Sequence, residues 1–210
     1  MKTIKSIYKR ASLAIAVLFA LPTASVAQIT DHGYVDIDWQ FNIPINTGFS
    51  DKAAGWGMAF DGGYYITDNV AVGGFLTFST NNKYYPLETI NLTTTSTITT
   101  DQQHSMFQLP FGVSARYRFI PEAIATPYIA LKIGTEYSKF YTYYNAFETT
   151  DNSWGFYICP EIGTTIYFTP NNLVGLHIAL YYNYATNRSS VLTYSIKGVN
   201  NAGFRLGLSF

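Results

Sequence analysis

The residues best suited to catalysis in this sequence are its three histidines, a serine beside one of them, and a single cysteine. His104 directly precedes Ser105, and a Ser–His pair transfers acyl groups when the imidazole takes the serine proton. Neighbouring residues of a strand point to opposite faces, so these two side chains would not share a proton. His177 has no serine at a suitable offset, and Cys159 belongs to no closely spaced set of metal ligands. We therefore expect neither an enzyme nor a bound cofactor or metal.

Composition excludes several other classes. The chain has 210 residues, of which 12% are charged and 17% aromatic, with one cysteine. Disorder requires many charges and few aromatic residues, and a disulfide scaffold requires paired cysteines. Lys and Arg together number 13, as do Asp and Glu, so no basic excess points to nucleic acid.

The first 27 residues have the pattern of a secretory signal peptide. An apolar run over residues 11–21 is followed by small residues at Ser25 and Ala27, and it is preceded by Lys2, Lys5, Lys9 and Arg10. A retained membrane anchor is the alternative, but eleven apolar residues are too few for a helix that crosses a bilayer. We predict cleavage before Gln28 and a mature domain over residues 28–210, with nine basic residues against 13 acidic ones.

Eight later segments alternate between large apolar residues and small or charged ones. In residues 33–43, for example, Val35, Ile37 and Trp39 alternate with Asp36 and Asp38. A period of two predicts strands with two different faces. The segments are 33–43, 55–65, 70–80, 105–119, 128–137, 154–168, 173–184 and 204–210. They would be joined by short turns at 66–69, 120–126 and 169–172 and by polar loops at 44–54, 81–103, 138–152 and 185–201.

The small residues decide which face lies inward. The face that carries the charges is otherwise rich in Gly, Ala, Ser and Thr, which fit the narrow interior of an eight-stranded barrel. The other face is large and apolar, and it would overfill that interior. We therefore predict an all-β, eight-stranded antiparallel up-and-down transmembrane β-barrel whose apolar face contacts lipid. A soluble barrel with the opposite orientation is the alternative.

Outward aromatic residues gather at the strand ends, as in the two aromatic belts of membrane barrels. One predicted belt contains Trp39, Trp56, Phe78, Tyr137, Trp154 and Tyr182. The other contains Tyr64, Tyr117, Phe119, Phe168 and Phe210. A soluble ligand-binding barrel has no physical reason for this distribution.

The inward face carries a predicted charge network. Burial of a charge is unfavourable without a partner, so these side chains should form ion pairs. On a closed barrel Arg205 would neighbour Asp36 and Asp38, and Lys132 would neighbour Glu161. We predict a salt-bridged plug, and the alternative is a charged path for small ions. The network comprises Asp36, Asp38, Asp61, Arg116, Arg118, Lys132, Glu136, Glu161, His177 and Arg205.

The polar loops are where an external partner would bind. Candidate contact residues are Tyr84 and Tyr85 in the first long loop and Tyr143 and Tyr144 in the next. Thr, Ile and Tyr favour strands, so residues 81–103 would form either an ordinary solvated loop or a protruding hairpin. The edge of such a hairpin could add a strand from another protein.

The alternating segments and the terminal residues Gly203-Phe204-Arg205-Leu206-Gly207-Leu208-Ser209-Phe210 resemble the outer-membrane protein β-barrel domain family of Gram-negative bacteria. The resemblance covers residues 28–210 and is to the small OmpX/OmpA type. It implies an outer-membrane location, contact with membrane lipid, and recognition by the barrel-assembly machinery. Phe204, Leu206, Leu208 and Phe210 are similar to the signal that this machinery reads in that family.

Fold alone does not choose an activity, because proteins of this shape include structural proteins, adhesins, small pores and a few lipid enzymes. We expect a structural or adhesive role, with an extracellular protein or glycan ligand at the loops. A narrow porin-like channel for ions or small solutes is the alternative, and a lipid-modifying enzyme is a third.

Overall fold

The predicted class is confirmed by a computed structural model, in which eight antiparallel strands close a barrel in sequence order. The structure describes residues 32–45, 48–93, 96–121, 123–144, 147–168, 174–191 and 194–210. The predicted signal peptide and the predicted turn at 169–172 lie outside the described residues. The strands are β1 (Gly33–Ile45), β2 (Gly57–Tyr65), β3 (Val70–Thr93), β4 (Ser96–Arg118), β5 (Ala125–Tyr144), β6 (Glu148–Tyr167), β7 (Gly175–Val191) and β8 (Tyr194–Ser209).

Six of these strands, β3 to β8, extend at least five residues beyond the segments that the alternation of lipid-facing residues indicated. Residues 81–103, 138–152 and 185–201 are mostly continuations of strand pairs, so their assignment as loops is wrong. The alternative of a protruding hairpin over residues 81–103 is correct, because β3 and β4 stay paired as far as Thr93 and Ser96. Beyond the part of the barrel that faces lipid, the outward side chains are no longer apolar, so they do not mark these residues as strand. The inward side chains still alternate there. The ends that carry these extensions are called the hairpin end, and the opposite ends the turn end.

The first two strands are the exception, because they stop short of their neighbours. β1 ends at Ile45 and β2 begins at Gly57, whereas β3 continues to Thr93 and β8 begins at Tyr194. The barrel wall is therefore lower between β8 and β3. Residues 48–56 cover this gap, tied to β1 by paired backbone hydrogen bonds between Asn42 and Ala54.

The outer surface is apolar between two rings of aromatic residues. Near the turn end, Tyr117 pairs with Ile129, and near the hairpin end Tyr137 pairs with Trp154. Residues 129–137 of β5 therefore join the two rings, close to the roughly 9–11 residues that a tilted strand needs to cross a bilayer. Among the described residues, no helix is long and apolar enough to cross a membrane.

Candidate functional site

The alternation of side chains directs nine of the ten predicted network residues into the lumen. All nine are buried, with at most 4% of each residue exposed. Their strands are neighbours in the wall, but many of their contacts cross the interior. The nine are Asp36, Asp38, Asp61, Arg116, Lys132, Glu136, Glu161, His177 and Arg205.

Glu161 is the centre of a buried ion cluster. Its Oε2 atom accepts a hydrogen bond from Nζ of Lys132 at 3.0 Å and another from Nη1 of Arg205. Lys132 is shared with Asp61, whose Oδ2 atom lies 2.7 Å from the ammonium nitrogen. The cluster thus joins β2, β5, β6 and β8 across the interior.

Arg116 adds β1 and β4 to this cluster. Its Nη2 atom donates to Asp36 and lies 4.0 Å from Oδ2 of Asp61. The guanidinium also lies between two rings, 3.8 Å from the centroid of Tyr34 and 4.1 Å from that of Tyr128. An arginine held this way combines ion pairing with cation–π contacts in a desolvated site, where both are strongest.

A hydrogen-bonded chain runs from Asp38 through His177 and Tyr128 to Glu161. Nδ1 of His177 lies 2.7 Å from Oδ1 of Asp38, and Nε2 lies 2.5 Å from the Tyr128 hydroxyl. That hydroxyl donates to Oε1 of Glu161 at 2.9 Å. The chain links β1, β7, β5 and β6 through buried side chains.

The cluster brings charges of both signs into close contact. Pairing of this kind offsets the desolvation that buried ions suffer. The carboxyl groups are Asp36, Asp38, Asp61 and Glu161, the fixed cations are Arg116, Lys132 and Arg205, and the imidazole is that of His177.

Glycines make room for the tyrosines that cross the lumen. A Cβ atom on Gly163 would lie 2.7 Å from the Tyr128 hydroxyl, and one on Gly203 would lie 2.7 Å from the Tyr181 hydroxyl. These distances are too short for any side chain without movement of the ring. The glycine-rich inward face noted in the sequence is therefore needed for close packing of large side chains.

Three details of the predicted network are wrong. Arg205 pairs with Glu161, not with Asp36 or Asp38, because its register partner on β1 is Gln40, which accepts from its Nε atom at 2.9 Å. Arg118 lies outside the network at the turn end. Its guanidinium sits 3.8 Å from the centroid of the Tyr65 ring and donates to the carbonyl of Asp68.

Glu136 is the third departure, because it lies apart from the ion cluster. Its Oε1 atom accepts from the Ser138 hydroxyl at 2.7 Å, and the ion pairs of the described residues do not include it. It belongs to the hairpin half of the lumen, where Ser138 and Gln108 are also buried. The lumen thus divides into an ion-paired half and a half with few charges.

Apolar side chains fill much of the hairpin half. Met106, Phe140, Tyr157 and Val199 are fully buried there. Phe49, from the segment between β1 and β2, belongs to the same cluster. This core was not predicted from the sequence because its residues lie in segments assigned to loops or stand singly on the polar face. The signal was present as large apolar residues of inward parity at positions 106 and 140.

Phe49 closes the mouth of the barrel. Its ring stacks on His104 with centroids 4.4 Å apart, and it also contacts Phe140 and Tyr194 edge to face. Nδ1 of His104 lies 2.8 Å from the Phe49 carbonyl oxygen, to which it donates. His104 therefore holds residues 48–56 in place from inside the barrel. Ser105 faces the opposite side of β4.

The contact between His104 and Phe49 should depend on pH. Burial lowers the pKa of His104 below its usual value of 6.5, so the opened state binds more protons than the closed one. The closed state is therefore fully favoured above about pH 6.5 and loses stability as the pH falls below it. The protection factors of the amides in residues 48–56, which compare the measured exchange rates with the intrinsic rates at the same pH, should fall on acidification. In the His104→Asn variant the protection factors should no longer respond to pH in this way, and an unchanged response there would contradict the assignment.

The predicted belt residues all lie on the outer face. Trp154 and Tyr137 contact each other with ring centroids 5.1 Å apart. The hairpin-end ring consists of Trp39, Trp56, Phe78, Tyr137, Trp154 and Tyr182. The turn-end ring consists of Tyr64, Tyr117, Phe119, Phe168 and Phe210.

The four tyrosines predicted at surface loops lie on strands instead. Tyr84 and Tyr143 are exposed. Tyr85 turns inward against His104 and Tyr194, and Tyr144 is buried, with its ring stacked on Phe147 at 4.5 Å. Only Tyr84 and Tyr143 are therefore open to an external partner.

A closed antiparallel barrel with an apolar outer band, two aromatic rings and a polar interior is the architecture of an outer-membrane protein. The family model of the outer membrane protein β-barrel domain matches residues 11–210. The chain belongs to this family, which is located in the outer membrane of Gram-negative bacteria. In such barrels the turns are periplasmic and the longer connections extracellular, so the hairpin end is extracellular.

Solved structures include several that are similar in fold. The attachment invasion locus protein Ail of Yersinia pestis, solved with the heparin analogue sucrose octasulfate, is 14% identical over 85% of this chain and 98% of its own, with a TM-score of 0.47. Neisserial surface protein A is 18% identical over 84% and 95%, with a TM-score of 0.47. OprG of Pseudomonas aeruginosa is 12% identical over 85% and 94%, with a TM-score of 0.47. A comparison with curated protein sequences finds no significant match.

Proposed function

We propose that this outer-membrane barrel is a surface-binding, adhesive protein whose extracellular hairpins bind an extended protein segment or a glycan chain. The observation that carries the proposal is the ribbon formed by residues 86–101 of β3 and β4. Pairing of β2 with β3 ends at Ser79, and pairing of β4 with β5 ends at Gln102. Within the described strands the ribbon therefore has two free edges.

The ribbon has the features of a strand-addition site. Free edges present unpaired N–H and C=O groups to an incoming strand. Leu87 is 70% exposed, and Thr89 and Thr99 are joined across the ribbon by a hydroxyl hydrogen bond of 2.8 Å. An extended partner could pair with an edge while Leu87 and Tyr84 contact its side chains.

The interior supports this role over that of a pore. The ion cluster occupies the lumen between the aromatic rings, and the apolar core and Phe49 occupy it above. An ion that passed through would have to break contacts of at least Lys132 or Arg205 with Glu161. The lumen then serves as the rigid support on which the hairpins stand.

We also propose that no catalytic step takes part. His177 is committed to Asp38 and Tyr128 within the closed interior, and His104 to the Phe49 carbonyl. Neither imidazole has a serine or a thiol among its described hydrogen-bond partners, so the Ser–His chemistry considered from the sequence has no support.

The same proposal includes the route to the membrane. A cleaved signal over residues 1–27 would direct export, and the assembly machinery would read Phe204, Leu206, Leu208 and Phe210. These four side chains share one face of the last strand, and Phe210 pairs with Val35 through two backbone hydrogen bonds.

Removal of the ribbon should abolish adhesion and leave the barrel folded. Residues 86–101 can be replaced by Asn-Gly, because Tyr85 and Gln102 are register partners and a two-residue turn can close that pair. Binding is measured with a Gram-negative host that lacks the protein, on cultured epithelial cells and on immobilised heparin. We expect binding of the full chain to fall to the level of the empty host.

The matched control shortens the neighbouring hairpin. Replacement of residues 143–148 by Asn-Gly closes the pair Thr142 and Thr149 in the same way and also removes Tyr143. Adhesion retained by this variant would assign the contact to the ribbon and not to the β5–β6 hairpin. Heat-modifiable migration on gels establishes that each variant is folded. Equal adhesion with and without residues 86–101 would rule out the ribbon, and no adhesion by the full chain on either surface would rule out the adhesive role.

A further inference from the structure

Glu136 is a buried carboxyl group without a cationic partner among the described residues. The residue is fully buried, and its Oε1 atom accepts a hydrogen bond from the Ser138 hydroxyl at 2.7 Å. Its Oε2 atom is buried without a hydrogen-bond partner among the described residues. An ionised carboxylate removed from water is unfavourable unless a positive charge compensates it. Glu136 therefore needs a counter-charge that its described neighbours do not supply.

The wall around Glu136 is uncharged on its inner face over the described residues. The register partners of Glu136 are Pro110 on β4 and Gly155 on β6. Gln108, two residues from Pro110, offers only the neutral N–H groups of its amide. Lys132 is the nearest cation on the same face of β5, but four residues of a strand span about 13 Å, and its ammonium group belongs to the ion cluster.

The carboxamide of Asn187 lies beside the Glu136 side chain. Asn187 is fully buried and belongs to a bulge of β7 between Ala185 and Arg188. Its Oδ1 atom takes the space that a Cβ atom on Gly155 would occupy, and Gly155 is the residue opposite Glu136. The Cβ atoms of residues opposite each other in a sheet are about 4.5–5.5 Å apart. The side chains of Glu136 and Asn187 are therefore neighbours in the lumen.

Hydrogen bonds fix the orientation of the Asn187 amide. Its Nδ2 atom donates to the backbone carbonyl of Glu136 at 3.0 Å and to that of Ser153 at 2.9 Å. Both hydrogens of the amide are used in this way, so the Oδ1 atom faces away from the two carbonyls. That oxygen is buried and has no hydrogen-bond partner among the described residues. Two neighbouring side chains thus each present a buried oxygen with free lone pairs.

We propose that Glu136 and Asn187 bind a monovalent cation inside the barrel. Oxygen ligands suit hard cations, and sodium and potassium ions are of this kind. A single carboxylate balances one positive charge, whereas calcium sites combine several carboxylate and carbonyl ligands. Oε2 of Glu136 and Oδ1 of Asn187 would contact the ion, and the Ser138 hydroxyl, whose proton is directed at Oε1, has lone pairs for a third contact. The ion would act as a counter-charge and not as a catalytic metal.

This site would be reached from the extracellular side. The ion cluster around Glu161 fills the lumen towards the turn end, and the apolar core with Phe49 closes it towards the mouth. An ion would therefore enter when residues 48–56 open. The inference goes beyond the adhesive role, because it makes the support of the hairpins dependent on the salt of the surrounding medium.

The test measures urea-induced unfolding of the full-length barrel from phosphatidylcholine vesicles at about pH 8, where few protons compete for a carboxylate. Sodium or potassium chloride replaces N-methylglucamine chloride, whose cation is too large for the site. Constant ionic strength keeps general screening unchanged. We expect the folded-to-unfolded ratio of the wild type to rise about tenfold for each tenfold increase in the bound cation above its Kd.

Two variants assign this response to Glu136. Glu136→Gln keeps the size of the side chain and removes the charge, so its unfolding should not depend on the cation. Glu148→Gln removes an exposed carboxylate from β6 and should respond like the wild type. A wild type that responds to neither cation would show that a proton or water compensates Glu136, and it would overturn the proposal. An equal response in the wild type and in Glu136→Gln would place the cation elsewhere and would also overturn it.

A second measurement does not depend on the folding of any variant. Crystals of the wild type soaked with a thallous salt, a heavy substitute for potassium, should show an anomalous-scattering peak beside Oε2 of Glu136. Peaks only at other places would contradict the site. The variant that lacks residues 86–101 retains Glu136 and Asn187 and should show the same response to the cation. Failure of the cation site and failure of the adhesive role are therefore distinguishable.

Discussion

Replacement of Glu161 by glutamine should lower the free energy of unfolding by about 3–5 kcal/mol, the usual loss when one member of a buried ion pair is removed. The variant keeps the size of the side chain but leaves Arg205 without a carboxylate partner. Gln40 remains as the acceptor for Nε of Arg205, and Lys132 retains Asp61. Urea-induced unfolding from lipid vesicles measures the change.

Two further variants make this result specific to the buried pair. Glu148→Gln removes a carboxylate from the exposed end of β6, and its effect should stay within about 0.5 kcal/mol. The double variant Glu161→Gln, Arg205→Met removes both buried charges and should recover part of the loss. If Glu161→Gln unfolds like the wild type, the cluster does not hold the strands together.

The Phe49→Ala variant should open the extracellular mouth. Removal of a buried phenylalanine side chain lowers stability by about 3–5 kcal/mol. Here the loss should be local, because Phe49 belongs to the segment between β1 and β2 and not to a strand of the barrel wall. Hydrogen exchange should increase in residues 48–56 and around His104, with little change near Glu161. Phe147→Ala is the control, since Phe147 is 40% exposed and contacts Tyr144 at a hairpin tip.

The same variant tests the lumen as a pore. Phe49→Ala removes the ring that closes the mouth of the barrel but leaves the ion cluster between the aromatic rings. Planar-bilayer recordings should therefore show no stable channel from the wild type or from the variant. Nanosiemens-scale channels from the wild type would contradict the filled interior. Channels from Phe49→Ala alone would show that the apolar plug, not the ion cluster, closes the barrel.

The sequence predicted most of the membrane-spanning part because its signals are local. Alternation of period two fixes which side chains share a face without knowledge of the strand partners. Parity alone therefore placed Trp39 and Trp154 on the outside, and Glu161 and His177 on the inside. The lengths of the hairpins were missed because beyond the apolar band only the inward parity of residues such as Met106 and Phe140 marks the strand.

The amino-acid sequence by itself determined the number of strands, the lipid-facing surface and the set of charges that must lie inside. Only the tertiary structure decided which of those charges meet. Arg116 reaches Asp36 across 80 positions in the chain, and Arg205 passes its register neighbours on β1 to reach Glu161. Such contacts depend on the stagger and closure of the barrel and on rotamers in a crowded lumen, which are properties of all eight strands together. Placement of Phe49 in the mouth has the same origin, because nothing in its own segment indicates the space that β3 and β8 leave open.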